Sequence, residues 1–125
     1  MADYVLIVDD DDKFIQMVSL RLKSLGYEVA YAQDPIQANA LIHQRRPNLL
    51  ILDFMMPAGT GASLLNKIRY SGARMPVIVV SGTKLEEIQK SILFGLDVLF
   101  HPKPIDIRLL EEQVANLLRR PGDAG

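Results

Sequence analysis

With 125 residues, of which 49% are hydrophobic and 23% charged, the chain has material for one folded domain and too little for two ordinary ones. A formal net charge of −1 and the absence of tryptophan leave no electrostatic footprint or stacking platform for nucleic acid, while the absence of cysteine excludes disulfides and thiolate metal sites and fits a reducing cytosol. Apolar runs are strand-length, so neither a signal peptide nor a membrane span is expected.

The run Tyr4-Val5-Leu6-Ile7-Val8 predicts a first strand, and it stops at four consecutive aspartates, Asp9 to Asp12. Helical spacing of Phe14, Met17, Val18, Leu22 and Leu25 follows, with Asp11 or Asp12 as the cap and Gly26 as the closing residue. Tyr27–Tyr31 predicts a second strand. Asp34-Pro35 starts a second helix, with Ile36, Ala40, Leu41 and Ile42 as its buried side, and Arg45-Arg46-Pro47 ends it. Leu49-Leu50-Ile51-Leu52 predicts a strand buried on both faces, with Asp53 just beyond its end.

Pro57–Gly61 is expected as a loop and Ala62, Leu64, Leu65 and Ile68 as the face of a third helix. Val77–Val80 predicts a fourth strand ending on Ser81-Gly82-Thr83. Leu85, Ile88, Ile92 and Leu93 predict a fourth helix stopped by Gly95. Val98-Leu99-Phe100 predicts a short fifth strand, placed at a sheet edge because Pro102 cannot donate to a central ladder. Asp106 caps a fifth helix on Ile107, Leu110, Val114, Leu117 and Leu118. Residues 1–120 are expected to form the domain and 121–125 a frayed tail.

Strand and helix alternate five times, which predicts an α/β fold with a parallel sheet, right-handed crossovers and helices on both faces. The carboxyl ends of parallel strands share one edge, the edge where open α/β sheets bind ligands. Asp9, Asp10, Asp53, Ser81 and Lys103 therefore converge. Taken singly, each residue has a plain alternative: Asp53 as a turn aspartate, Ser81 as a helix cap, Lys103 as a salt-bridge partner. Taken together, three crowded carboxylates without His or Cys are hard oxygen ligands suited to Mg²⁺, and a hydroxyl and an ammonium beside them suit a phosphoryl group. A carboxylate can itself accept that group, and Asp53 is the best placed to do so.

Four pieces together carry a family resemblance: Val8-Asp9-Asp10-Asp11, Leu52-Asp53-Phe54-Met55-Met56-Pro57, Val80-Ser81-Gly82, and Phe100 with Lys103-Pro104. The chain resembles a chemotaxis-type response-regulator receiver domain over nearly its whole length. The resemblance implies a flavodoxin-like doubly wound sheet of strand order 2-1-3-4-5 with five helices. It implies Asp53 as acceptor of phosphate from a phosphohistidine on a sensor histidine kinase or phosphotransfer protein. It further implies direct Mg²⁺ ligation by Asp10, Asp53 and the Met55 carbonyl, Asp9 acting through water, and catalytic assistance from Ser81 and Lys103. The Lys103-Pro104 bond resembles one that is cis in this family.

By the same resemblance, Phe100 matches an aromatic switch position, and Met55 and Thr83 stand at the positions that flank the approach of hydrolytic water. Output is expected through the fourth helix, fifth strand and fifth helix, including Lys84 and Lys90, to a downstream protein or output domain. A cytoplasmic protein without direct nucleic-acid or membrane binding is expected, either stand-alone or excised from a longer regulator. It is expected to be no enzyme beyond its own phosphorylation and dephosphorylation.

Departures from the family pattern are the position of Gly95, the His101-Pro102 pair and the Ala58-Gly59-Thr60-Gly61 loop. His43 on a helix and His101 beside the site are read as surface or packing residues, His101 as a packed ring or an exposed donor. Two other functions are weighed. An aspartyl-phosphate phosphatase or phosphotransferase would want an acid where Met55 stands. A flavodoxin-like nucleotide or flavin module would want a phosphate loop where the four aspartates stand.

Overall fold

The computed structural model describes residues 2–56, 59–82 and 98–119. The expected helix over Leu85–Leu93, Thr83, Lys84, Lys90, Gly95 and the 121–125 tail lie outside the described residues. In chain order the elements are β1 (Tyr4–Val8), α1 (Asp12–Ser24), β2 (Glu28–Ala32), α2 (Pro35–Gln44), β3 (Leu49–Asp53), β4 (Met55–Met56), β5 (Gly59–Thr60), α3 (Gly61–Tyr70), β6 (Val77–Ser81), β7 (Val98–Pro102) and α4 (Ile107–Leu118).

β4 and β5 form a separate antiparallel pair, where the sequence suggested a plain loop. The main sheet is parallel throughout, in the order β2-β1-β3-β6-β7, which is 2-1-3-4-5 when the five long strands alone are counted. This is the flavodoxin-like arrangement.

Helix starts follow local chemistry. The Asp11 carboxylate accepts from the amides of Lys13 (3.0 Å) and Phe14 (3.4 Å), Asp34 from Gln37 (2.8 Å) ahead of Pro35, and Asp106 from Arg108 and Leu109 (3.1 and 3.2 Å). Each supplies orphan amides with an acceptor and places negative charge at the positive end of the helix dipole. At the far end of α1, Gly26 adopts φ +95°, and the amides of Gly26 and Tyr27 return to the carbonyls of Lys23 and Leu22. A left-handed residue is needed there, and glycine takes it without a Cβ clash.

Alternation along the strands divides the core between the two sheet faces. Leu6, Val8, Leu50, Leu52, Val77 and Val79 face α2 and α3, meeting Ala38, Ile42, Leu65 and Ile68. Val5, Ile7, Leu49, Ile51, Ile78 and Val80 face α1 and α4, meeting Phe14, Val18, Leu22, Leu110 and Val114. Full burial of one such side chain is worth about 1.5–3 kcal/mol, so the paired strands are the main source of stability.

Several faces differ from expectation. In α2 the buried residues are Ala38 and Ile42, with Leu41 half-buried, while Ile36 is 78% exposed and Ala40 is also exposed. Two positions along a helix turn the side chain through about 200°, so Ile36 and Ala40 point away from the sheet once Ala38 faces it. In α1, Ile15 is buried, whereas Met17 and Leu25 are exposed. β2 begins at Glu28, one residue later than expected, and β7 extends through His101 and Pro102 at the sheet edge.

Asp53 is the last residue of β3 rather than a residue beyond it. Behind it lies Gly61, where a Cβ would stand 2.3 Å from the Asp53 carbonyl oxygen and 3.1 Å from Leu52 Cγ. Because the nearest atom is backbone, the strand end or the start of α3 must shift to admit a methyl group. Gly61→Ala is therefore expected to lower stability by about 1–3 kcal/mol, measured by urea unfolding. An unchanged midpoint would show that the strand end tolerates the displacement.

Candidate functional site

Strand register assembles the site. Val8 pairs with Leu52, so Asp9 and Asp53 emerge side by side from β1 and β3. Asp53 pairs with Val80, the residue before Ser81, and Ser81 pairs with Pro102, the residue before Lys103. Asp9, Asp53 and Ser81 are buried, Asp10 is exposed, and the Lys103 side chain is about a quarter exposed. One carboxylate oxygen from each of Asp9, Asp10 and Asp53 lies within 4.8 Å of the others. All five residues singled out in the sequence thus meet at one edge.

Asp9 is completely buried, and both its oxygens are engaged: Oδ1 accepts from the Asp11 amide (2.9 Å) and Oδ2 from Lys103 Nζ (3.0 Å). The Lys103 ammonium is also 3.7 Å from Asp53 Oδ2 and 4.9 Å from the centre of the Phe14 ring. Asp53 Oδ1 accepts weakly from the Met55 amide at 3.4 Å. The Lys103-Pro104 peptide is cis.

Burial, and next the charge of Asp9, raise the Asp53 carboxyl from its ordinary 3.8 to about 6, against the opposing pull of Lys103 and of the Met55 amide. Burial disfavours the Lys103 ammonium, but the Asp9 hydrogen bond and the charges of Asp53, Asp9 and Asp11 outweigh it, and its pKa is raised. The site therefore has more negative charge than one lysine balances. Three hard oxygen donors at this spacing fit a divalent cation such as Mg²⁺.

Two contributors were not singled out from the sequence, and a third, His101, was noted beside the site without its partner. Phe14 was read as a core residue, yet one turn into α1 it borders Lys103; its place after the Asp11 cap was the available signal. Gly61 backs the Asp53 carbonyl, and no sequence signal distinguishes it from an ordinary loop glycine. His101 is buried and is not an exposed donor: its Nε2 accepts from the Asp106 amide at 3.3 Å. That bond spans the loop bearing Lys103 and ties the end of β7 to the cap of α4. Met55 is 54% exposed at the mouth, and Phe100 is half-buried against the α2–α3 side of the core. His43 is exposed on α2.

An acidic edge of this geometry on a 2-1-3-4-5 sheet defines a receiver-type domain. The chain belongs to the response regulator receiver domain family, whose pattern matches residues 5–115. That family acts in two-component signalling, and phosphoryl acceptance and Mg²⁺ binding are properties it implies.

Among relatives, the chain is 34% identical over 119 residues to the DNA-binding dual master transcriptional regulator RpaA of Synechocystis, covering 93% of this chain and 49% of the relative. It is 33% identical to the phosphate regulon transcriptional regulatory protein PhoB of Pseudomonas aeruginosa, covering 96% of this chain and 54% of that protein. The chain thus spans about half the length of these relatives. Among solved structures it is similar to the receiver domain of the Francisella response regulator 1452 (TM-score 0.81, 32% identity, 92% of this chain and 95% of that one). It is also similar to the chemotaxis protein CheY4 of Vibrio cholerae (TM-score 0.84, 27% identity, 94% and 100%). No helix among the described residues is long and apolar enough to cross a membrane.

The raised Asp53 pKa has a stability consequence. The folded chain holds this proton more tightly than the unfolded one, so its contribution favours folding below the ordinary 3.8 and is lost as pH rises through about 6. In EDTA, Asp53→Asn should stabilise the fold at pH 7.5 by about 1–2 kcal/mol, with the gain vanishing towards pH 4. Urea titrations of both proteins across that range are the measurement. A gain that is constant with pH would mean that ionisation of the buried, crowded Asp53 carboxyl is not its source.

Proposed function

We propose that this chain takes a phosphoryl group onto Asp53 from a phosphohistidine on a sensor histidine kinase or histidine phosphotransfer protein, with Mg²⁺ bound, and that this changes how the domain engages a downstream partner. The observation behind the proposal is the meeting of the Asp9, Asp10 and Asp53 carboxylates beside the Lys103 ammonium.

In this reading Asp53 is the nucleophile. Its oxygen attacks phosphorus, the P–N bond of the donor breaks, and the imidazole leaves. Asp10, Asp53 and the Met55 carbonyl would hold the metal directly. Asp9, whose oxygens already serve the Asp11 amide and Lys103, would hold it through water. Bound Mg²⁺ supplies positive charge against the oxygens of the transferring group. Lys103 adds a second positive charge, held on the Asp9 side of Asp53, and Ser81 supplies a hydroxyl from the neighbouring strand.

The output surface in this reading comprises the helix expected over Leu85–Leu93, β7 and α4. Phe100 shifts between two packings as Ser81 answers the phosphoryl group. The relatives' names place DNA-binding and transcriptional roles in longer proteins, and an output domain joined to this one is the corresponding proposal. The chain acts on its own aspartate and not on a released substrate. Met55, at the position where a small-molecule phosphatase would want an acid, is apolar and exposed.

Incubation with acetyl phosphate and Mg²⁺ should add one phosphoryl mass to the intact chain, lost in Asp53→Ala and in EDTA. An unchanged mass, or equal labelling of Asp53→Ala, would overturn the assignment. Hydrolysis needs water in line with the Asp53–phosphorus bond, and the flexible apolar Met55 side chain cannot orient it. Met55→Asn is expected to speed loss of label roughly three- to tenfold, which needs only about 1 kcal/mol of barrier. Equal decay in both proteins would remove Met55 from control of water access.

A further inference from the structure

Charge is distributed unevenly along this chain. Between Asp34 and Glu86 the only carboxylate is Asp53, whereas the same stretch holds Arg45, Arg46, Lys67, Arg69, Arg74 and Lys84. Helices α2 and α3 pack on one sheet face, and each runs back from the acidic edge, so their carboxyl-terminal ends lie at the opposite edge. There they border a cavity of about 530 Å³.

Its buried residues are Ile42, Ile68 and Ala73, and its exposed ones include His43, Arg46, Lys67 and Tyr70. Cations near helix carboxyl ends commonly answer the helix dipole. Three features go beyond that. Among the described residues no carboxylate lines the cavity. Among the described residues Arg46, Lys67 and His43 make no ion pair, although the adjacent Arg45 is paired with Glu28 at 2.7 Å and lies over the Tyr4 ring. And the lining combines an apolar base with an aromatic ring that is 86% exposed.

We propose that this cavity binds a free nucleotide, its base against Ile42, Ile68 and the Tyr70 ring and its phosphates on Arg46 and Lys67. An apolar surface alone would suit any hydrophobic ligand, and cations alone any anion; the two together select a ligand with a planar apolar part and a phosphate tail. The volume lies within the ordinary range for small-ligand sites. Asn39 in the lining brings a side-chain amide for the base or sugar, and Ser71 Oγ, which donates to the Ile68 carbonyl at 2.6 Å, keeps its acceptor capacity. The cavity is at the sheet edge opposite Asp53, so the proposal stands apart from phosphoryl acceptance.

The test is titration of the ¹⁵N-labelled protein with ATP in EDTA, which keeps metal-bound ATP from the acidic edge. Amide shifts are expected at the ends of α2 and α3, at Ile42, His43, Ser71 and Ala73. Adenosine and inorganic tripolyphosphate should each bind at least about tenfold more weakly. Arg46→Glu with Lys67→Glu should abolish ATP binding while leaving acetyl-phosphate labelling of Asp53 intact, which also shows that the variant is folded. Tyr70→Ala should weaken ATP binding and leave tripolyphosphate binding unchanged. The proposal is overturned by an absence of shifts up to about 5 mM ATP, by shifts confined to the acidic edge, or by tripolyphosphate or hexaglutamate binding as well as ATP.

Discussion

The ion pair between Lys103 and the fully buried Asp9 is the contact on which the site depends. A carboxylate taken wholly out of water is costly unless it is paired and hydrogen-bonded, and Asp9 has both kinds of partner: the ammonium and the Asp11 amide. The pair joins the first strand to the loop after the last, 94 positions apart in sequence. It thereby holds the two ends of the functional edge on either side of Asp53. Burial first, and then the repulsion that one ammonium leaves among three carboxylates, raises the Asp53 proton affinity, and the same crowding leaves the cluster suited to a cation.

Secondary contacts keep Lys103 in place. Its backbone amide donates to the Ser81 carbonyl at 3.0 Å, continuing the β6–β7 ladder one residue past its end. The His101 imidazole accepts the Asp106 amide, and the Asp106 carboxylate in turn caps α4. Phe14 closes the other side of the ammonium with an aromatic face. The lysine is thus held by residues of β6, β7, α1 and the α4 cap, each of which has a separate packing role.

Much of this was legible in the sequence because parallel topology makes strand ends coincide. Once five strand–helix units were read, Asp9, Asp10, Asp53, Ser81 and Lys103 had to share an edge, and the caps at Asp11, Asp34 and Asp106 were visible from residue type and position alone. What escaped were facts set by packing between distant elements. Whether Ile36 or Ala38 faces the sheet depends on how α2 is rotated against β1 and β3, and a helix rich in small apolar residues leaves that phase open. Asp53 reads as lying just beyond the strand because it is polar, yet pairing with β6 draws it into the strand. The His101–Asp106 bond depends on the path of the four residues between them, for which the sequence supplies only two prolines.

Gly61 gives the site a direction of yield. With α3 packed against the Asp53 carbonyl and the Gly61 amide bonded to the Phe54 carbonyl at 2.6 Å, the backbone of the acceptor strand has no room to recoil towards that helix. β1 and β6 hold it on both flanks through continuous ladders. A group added to the Asp53 carboxylate, as proposed above, therefore has its room on the open side, where Met55 is exposed. The wall behind the aspartate makes it an anvil: in the proposed phosphorylation, the strand that bears the added group is the part of the site with the least room to move.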